Sequence, residues 1–549
     1  MPDLTFLTVA FALAPAVLMA TAALLARTPG ADAPAWRSFH TLAGVALLAT
    51  LAGLAALLWL GPTTGALSLV GLAQSQPGVW LAVLVQLLGT VIGAFSARYL
   101  EGERAQRRYV LALAGVLAAV HVLLLANHWL VLVAAWAVVG LALQVLLCFY
   151  ADRPFALLAA HKKRIADRAA DVLLLAAAAM AWSEVGSGSF SDLRIHLNAH
   201  GATLMLQASA VCLVLAVMLR TALLPVHGWL IQVMEAPTPV SALLHAGVVN
   251  LGAFVLILLA PLVEAAPLAR GLLVVAGLAT AALAGLVMLT RVSIKVRLAW
   301  STVAQMGFML MQCGLGLYTL ALLHLLGHSL YKAHAFLASS SAVRDSKLQG
   351  LRGPVTVAPL SLLGAPLVAA VVVFAVHALA TALAQSASPL WPWWWGALLA
   401  LAWAPLLWLS VQSSGAGSAG KTAGTWTAQA GAGLGLVAGL SVLACLAHAL
   451  PLGAGDASGG AEGLGLLALA GMAWLYLCLA LLQWQPDTLE NWRRWSYAGF
   501  YVDEFYTRVA LRLAPGAWAA SSLPAVPHAP DAPDAPDAQA DAHRIAVPK

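Results

Sequence analysis

One group of ionisable residues lies beside a predicted helix break in an apolar part of this 549-residue chain. It contains Arg220, His227, Glu235 and His245, with Pro225 among them. Proline lacks an amide donor, so Pro225 predicts a break in the helix that carries Arg220. Broken helices expose backbone polar groups, which is tolerated at membrane depth only beside protein or a water-filled cavity. We interpret this group as part of an ion path; the alternative is an Arg220 that reaches the membrane edge beside a hydrogen-bonded histidine.

A second group forms one face of a helix. His324, His328 and Lys332 are successive i, i+4 neighbours, with His334 beside them. The three cover roughly 12 Å of one face and could pass protons, since imidazole titrates near neutral pH. We interpret them as a proton relay, with structural hydrogen bonding as one alternative. A zinc site is another, because His-x-x-x-His suits zinc on a helix, although no third ligand is apparent.

Weaker candidates are isolated ionisable residues. Asp171 begins an apolar span just after a predicted basic loop (150–165) and fits either a helix-end charge or the ion path, and Lys295 lies in a later basic loop. His121 and His377 stand alone on apolar faces, where packing in the core is the better interpretation. No phosphate loop, nucleophile elbow or dinucleotide fingerprint is convincing. We therefore predict no catalytic residue, bound cofactor or metal in this chain.

Composition determines the class of protein that carries these groups. Hydrophobic residues make up 62% of the chain and charged residues 9%, whereas soluble domains average about a quarter charged. This excludes an ordinary soluble enzyme, a disordered protein and a nucleic-acid binder. A spanning helix needs about 20 apolar residues, so the chain has room for roughly 14 or 15. The predicted fold class is an all-α polytopic membrane protein.

Hydropathy predicts fifteen spans. They lie near residues 4–25, 41–60, 79–97, 109–126, 129–149, 166–183, 203–226, 237–260, 268–290, 298–316, 318–342, 356–382, 391–411, 428–450 and 463–484. With this count, 24 of the 28 Lys and Arg fall in odd-numbered loops or after the last span. Because cytoplasmic loops carry the excess of positive charge, the N-terminus is predicted outside and the C-terminus in the cytoplasm.

Four stretches carry a family resemblance. LLPVHGWLIQVMEAPTPVSALLHAGVVNLGAFVLI (223–257), SIKVRLAWSTVAQMGFML (293–310) and HLLGHSLYKAHAFLASSSAV (324–343) resemble the antiporter-like membrane subunits of respiratory complex I, whose family includes multisubunit cation antiporters and the DAB inorganic-carbon pump. YVDEFYTRV (501–509) is similar to the C-terminal signature of the complex I subunit 5 type.

The resemblance implies two inverted five-helix repeats, each with a broken helix, the second near Pro359 and Pro366. It places family ion-path residues at His245, Lys295, His324, His328 and Lys332, and at Asp171 in the further stretch RAADVLL (168–174). With the hydropathy pattern, it divides the chain into N-terminal helices 1–100, a first repeat 101–260, a second repeat 261–411 and C-terminal helices 412–484. Composition adds a cytoplasmic aromatic and charged segment 485–520 and a tail 521–549, which its APDAPDAPDA repeat predicts to be disordered.

The chain departs from the complex I pattern at charged positions. The family Glu of the fifth helix is Ala137, and the family Lys of the seventh helix is Arg220. Arginine stays charged and cannot release and recover a proton as lysine can. Span 12 has no Lys, and His377 is its nearest ionisable residue. These departures favour the membrane subunit of the DAB type over a complex I pump.

This resemblance implies a subunit of an energy-coupled carbon dioxide or bicarbonate uptake complex of the bacterial inner membrane. It would conduct protons or sodium ions and drive a large peripheral, carbonic-anhydrase-like partner of the DabA type, in a heterodimer. The zinc would lie in that partner. The alternatives are a proton-translocating subunit of complex I, hence part of an NADH:quinone oxidoreductase, and a multisubunit sodium/proton antiporter subunit. A noncatalytic scaffold is the last alternative.

Overall fold

The computed structural model describes residues 2–61, 71–339, 356–385, 389–411, 419–457, 461–485 and 490–515. Residues 412–418 and the predicted tail 521–549 lie outside these ranges. The described part is helical apart from two paired two-residue strands, β1 (Thr356–Val357) and β2 (Ser410–Val411). This confirms the all-α polytopic prediction.

The described part of the first half contains twelve α-helices: α1 (Pro2–Arg27), α2 (Asp32–Leu60), α3 (Gln76–Tyr99), α4 (Gln106–Leu124), α5 (Trp129–Leu147), α6 (Pro154–Val185), α7 (Phe190–His200), α8 (Leu204–Arg220), α9 (Gly228–Gln232), α10 (Thr238–Ala246), α11 (Leu251–Leu258) and α12 (Ala260–Glu264).

The second half contains nine further helices in the described ranges: α13 (Pro267–Leu289), α14 (Ile294–Gly314), α15 (Tyr318–Leu337), α16 (Pro359–Leu383), α17 (Trp393–Trp403), α18 (Ala419–His448), α19 (Glu462–Trp484), α20 (Glu490–Tyr497) and α21 (Val502–Leu513). Every one of the fifteen predicted spans contains helix. Ten described helices or helix pairs are long and apolar enough to cross a membrane by length and composition.

Breaks in the helices are only partly as predicted. The expected break at Pro225 is confirmed, because α8 ends at Arg220 and helix resumes at Gly228. The break expected at Pro366 is absent, since α16 runs through that residue. Pro359 begins α16, where a proline costs nothing because the first helical N–H has no partner within the helix. The hydropathy pattern missed a further break at Gly247, which separates α10 from α11.

Helix α6 also differs from expectation. The segment before residue 166 was predicted to be a basic loop, yet the helix begins at Pro154. Its Lys162 and Lys163 are buried, at 0% and 3% exposure. Burying a lysine costs less free energy when its charge is paired, and both lysines have a carboxylate partner, as described below.

Packing places the helices that carry the candidate ion-path residues in the interior of the protein. α6 packs against α8, α10 against α15, and α13 against α14. The α10–α11 pair is the most enclosed of the spans, with 89% of its apolar window buried, whereas the corresponding value for α16, α18 and α19 is 22%. Central helices can carry polar residues because protein surrounds them, while peripheral helices face lipid with apolar side chains.

Candidate functional site

Arg220 ends α8 and is held by a carboxylate from α6. Its Nη2 donates to Asp171 Oδ1, and the two side chains are 4% and 15% exposed. Arg168, which is largely exposed, lies 3.6 Å from the other oxygen of Asp171. The structure therefore brings together two residues that the sequence placed in separate groups, and it neutralises the charge of Arg220 inside the protein.

The same face of α6 carries two charged residues that the sequence reasoning missed. Lys163 donates to Asp167 four residues on, and Asp171 follows at the same spacing. A Cβ at Gly140 of α5 would lie 2.9 Å from Asp167 Oδ2 and 3.6 Å from Arg220 Nη1, so this glycine makes room for both. The i, i+4 spacing of Lys163, Asp167 and Asp171 was a usable signal that the prediction of a basic loop obscured.

The residue at position 137 explains why Arg220 takes its counter-charge from α6. Arg220 Nη1 donates to the Trp136 carbonyl at 2.9 Å, and its guanidinium lies 5.0 Å from the centre of the Trp136 ring. The neighbouring side chain is Ala137, which offers no carboxylate. Arg220 thus takes a backbone oxygen and an aromatic face from α5, while its counter-charge comes from Asp171.

His227 and Glu235 do not join Arg220. His227 is fully buried, with Nδ1 3.3 Å from the Pro225 carbonyl and its ring 4.9 Å from that of Trp300. Glu235 accepts a hydrogen bond from Arg153 through its backbone carbonyl, and within the described residues its carboxylate makes no ion pair. The seven-residue spacing from Arg220 to His227 does not give a shared face, because the helix has ended between them.

Lys332 is the centre of the second group. It is 1% exposed, and its ammonium donates to the Leu298 carbonyl at 2.9 Å and to Ser301 Oγ, both on α14. No carboxylate lies within ion-pair distance of it in the part of the chain described. Neutral oxygens compensate a buried ammonium less than a carboxylate does, so this lysine can release a proton more readily than one in an ion pair.

His324 and His328 precede Lys332 on the same face of α15, and we call these three residues the stripe. The ring centres of His324 and His328 are 5.9 Å apart, and His324 Nδ1 lies 2.8 Å from Gln312 Oε1. His328 Nε2 is buried and lacks a hydrogen-bond partner among the described residues. His334 is exposed and lies outside the stripe. The predicted continuous face of three residues is therefore present.

His245 belongs with this second group, although the sequence grouped it with Arg220. It is fully buried, and its ring stacks on Phe336 of α15 at 4.5 Å. Lys295 contacts the opposite end of α10 from His245: its ammonium donates to the Thr238 hydroxyl at the start of that helix, 2.8 Å away. Helix α10 thus touches α14 through one end and α15 through the other.

The break at Gly247 adds polar groups beside α15. Asn250 Nδ2 donates to Ser329 Oγ at 2.7 Å, and Asn250 Oδ1 is buried without a partner in the described ranges. Both residues line a small internal void that also touches Phe254. No motif marked Asn250, because only the non-helical turn after Gly247 points its amide at α15.

A larger cavity of about 670 Å³ is lined by the segment before α3, the residues just after α4, helices α7 and α12, and the segment after α18. Phe254 lines it as well as the small void, so this ring stands between the two spaces. Glu264 and the buried Tyr318 also line the cavity, and the Tyr318 hydroxyl has no partner among the described groups. Burial raises the pKa of the Glu264 carboxyl, and Arg270 opposes this.

The remaining histidine candidates have packing partners. His121 Nε2 lies 2.9 Å from Gln86 Oε1, and His377 stacks on Trp391 at 4.7 Å. These contacts agree with the interpretation of both as core residues. Across the residues that the structure describes, no group of three or more His, Cys, Asp or Glu side chains could hold a metal ion.

Residues 126–407 match the transmembrane family described as NADH:quinone oxidoreductase/Mrp antiporter. A probable inorganic carbon transporter subunit, DabB, of Hydrogenovibrio crunogenus is 38% identical over 460 residues, covering 80% of this chain and 85% of that protein. NADH-quinone oxidoreductase subunit L of Mycobacterium tuberculosis is 31% identical over 276 residues, covering 50% of this chain and 43% of that protein.

A solved structure, the Mrp complex from Dietzia sp. DQ12-45-1b, shares the fold. It is 22% identical with a TM-score of 0.55, covering 90% of this chain and 59% of the matched chain. The chain belongs to the NADH:quinone oxidoreductase/Mrp antiporter transmembrane family. It is a multi-pass, antiporter-like membrane subunit, and its relatives are subunits of larger complexes.

Proposed function

We propose that this chain is the membrane subunit of an inorganic-carbon uptake complex in the bacterial inner membrane, and that it conducts protons to drive a peripheral zinc-containing partner. The observation that carries the proposal is Lys332, buried with the histidine stripe and compensated only by a carbonyl and a hydroxyl. A lysine in such a site can exchange a proton, which an ion-paired arginine cannot.

The relatives support the carbon-uptake assignment over the respiratory one. The resemblance to the DabB protein extends over most of both chains, whereas that to the complex I subunit covers half of this chain. The position of the complex I glutamate is Ala137, and Arg220 is paired with Asp171 instead. This rearranged first group is expected of a relative whose ion path differs from that of complex I.

The test uses a bacterial host that lacks carbonic anhydrase and therefore needs added carbon dioxide. This chain is expressed with its genomic neighbour, and growth in air is measured. The expected result is growth with the wild type and none with Lys332→Ala. His334→Ala is the matched control, since His334 lies on the same helix but is exposed.

Membrane abundance of each variant is measured with a C-terminal tag. No growth in air from a well-assembled wild-type pair would overturn carbon uptake. Growth that survives Lys332→Ala at normal abundance would retain the uptake complex and remove Lys332 from the path. Sodium-dependent growth in air would change the coupling ion from the proton to sodium.

A further inference from the structure

A buried ion pair joins the C-terminal helix α21 to α6. Lys162 Nζ donates to Asp503 Oδ1 at 2.5 Å, and the two side chains are 0% and 28% exposed. The same ammonium donates to Thr507 Oγ1 at 3.0 Å, and the Tyr506 hydroxyl donates to the Lys162 carbonyl at 2.9 Å. Helix α21 is therefore fixed on α6 by three hydrogen bonds to Lys162, each between residues more than 300 positions apart in the sequence.

The Asp503 carboxylate lies at the break in the first broken helix. Gln232 Nε2 donates to its second oxygen at 3.3 Å. A Cβ added to Gly228 would overlap Asp503 Oδ1 and would lie 2.6 Å from Lys162 Nζ. Gly228 is thus the residue whose missing side chain makes room for the carboxylate where α9 begins.

The next residue toward the interior is His227. Its ring is fully buried, and its Nε2 has no hydrogen-bond partner among the described residues. The charged groups that act on this ring are Asp503, Lys162 and Arg291. Glu504 and Tyr506 are the other titratable groups of α21 near this site, while His161 lies beside its C-terminal end. A part-exposed carboxylate therefore lies at the same helix break as a buried imidazole.

We propose that Asp503 is a proton-binding residue of the ion path, so that helix α21 is part of the conducting unit. The carboxylate takes a proton from water at this membrane face and passes it towards the free Nε2 of His227. Lys162 keeps its own proton and holds the carboxylate in place. The inference rests on the proposed function only in that the chain conducts protons.

The alternative is that the pair is a structural latch, and the choice of variants separates the two. Asp503→Asn alone leaves Lys162 buried and uncompensated, which destabilises the fold whichever role the pair has. The double variant Asp503→Asn/Lys162→Met removes both charges with little change of volume and restores a neutral, packed site. Glu504→Gln is the matched control, because Glu504 is exposed on the same turn of α21.

The full chain, produced with its genomic neighbour, is reconstituted in liposomes. A potassium gradient with valinomycin sets the membrane potential, and an enclosed pH-sensitive dye reports proton uptake. We expect the double variant to fold and to lose proton flux by about 10²-fold or more, on the scale of a lost proton-transfer group. Glu504→Gln is expected to match the wild type. Gly228→Ala is expected to displace the carboxylate and lower flux without changing any charge.

Wild-type flux in a well-folded double variant would overturn the proposal and leave a latch. A wild type that carries no protons, or that carries sodium instead, would also overturn it. Growth in air is not part of this assay. Flux that depends on Asp503 in a complex that fails to support growth in air would therefore sustain this inference while sinking the carbon-uptake function.

Discussion

The two ionisable groups inside this protein differ in how their cations are compensated. In the first, Arg220 pairs with Asp171 and Lys163 pairs with Asp167. In the second, Lys332 is held by a carbonyl and a hydroxyl, and no carboxylate among the described residues lies within ion-pair distance of it. The first group is a set of fixed, neutralised pairs, whereas the second contains a cation whose charge is not balanced.

This difference assigns different tasks to the two groups. An arginine in an ion pair keeps its proton at any accessible pH, so Arg220 can shape the local field but cannot relay. A lysine can give up its proton and take it back, which a guanidinium cannot. We therefore expect proton exchange at Lys332 and structural or electrostatic control at Arg220.

Lys332→Met is expected to lower proton flux by about 10²-fold or more, the scale of a lost proton-transfer group. Lys332→Arg should fail equally, because a guanidinium keeps its proton. The measurement is dye-reported proton flux in liposomes, normalised to folded protein. His334→Ala should match the wild type, and a functional Lys332→Arg would show that position 332 supplies only charge.

Asp171→Asn is expected to destabilise the fold by about 3–5 kcal/mol, because it leaves the buried Arg220 without its counter-charge. Thermal unfolding in detergent and membrane abundance measure the loss. The double variant Asp171→Asn/Arg220→Met should recover most of it. If the single variant is as stable as the wild type, Asp167 or Arg168 must rearrange, and the pair is not the main support of Arg220.

Arg220→Lys restores the residue type that the family resemblance places there. Lysine can keep the contact with Asp171 but cannot also reach the Trp136 carbonyl, so we expect a loss of roughly 1.5–3 kcal/mol, one hydrogen bond of a charged group. Flux per folded molecule should stay unchanged. A rise in flux per molecule would show that position 220 can relay, and the contrast between the two groups would fail.

His324→Leu removes the hydrogen bond to Gln312 at the far end of the stripe. The loss of one such bond is worth about 1 kcal/mol, or roughly a fivefold change in rate if the bond orients the relay. Proton flux is the readout, and Gln312→Leu should have a similar effect. Flux unaffected by both variants would limit the relay to His328 and Lys332.

Local sequence pattern was sufficient to predict that each span contains helix and that His324, His328 and Lys332 share a helix face. The spacing of His324, His328 and Lys332 places them on one face because an α-helix fixes the geometry of i, i+4 neighbours. Pro225 predicted its break because proline removes a donor within its own helix. Pro366 was a false signal, because membrane-spanning helices tolerate a proline where local adjustment satisfies the backbone groups that it frees.

What the sequence by itself determined is therefore an all-α membrane protein with a His–Lys stripe, because composition and helical period act over a few residues. Only the tertiary structure decided which charges meet: Asp171 with Arg220, and Asp503 with Lys162. The second pair joins residues separated by 341 positions. Such pairs depend on how distant helices pack, and burial then requires each buried cation to find a partner that no local pattern specifies.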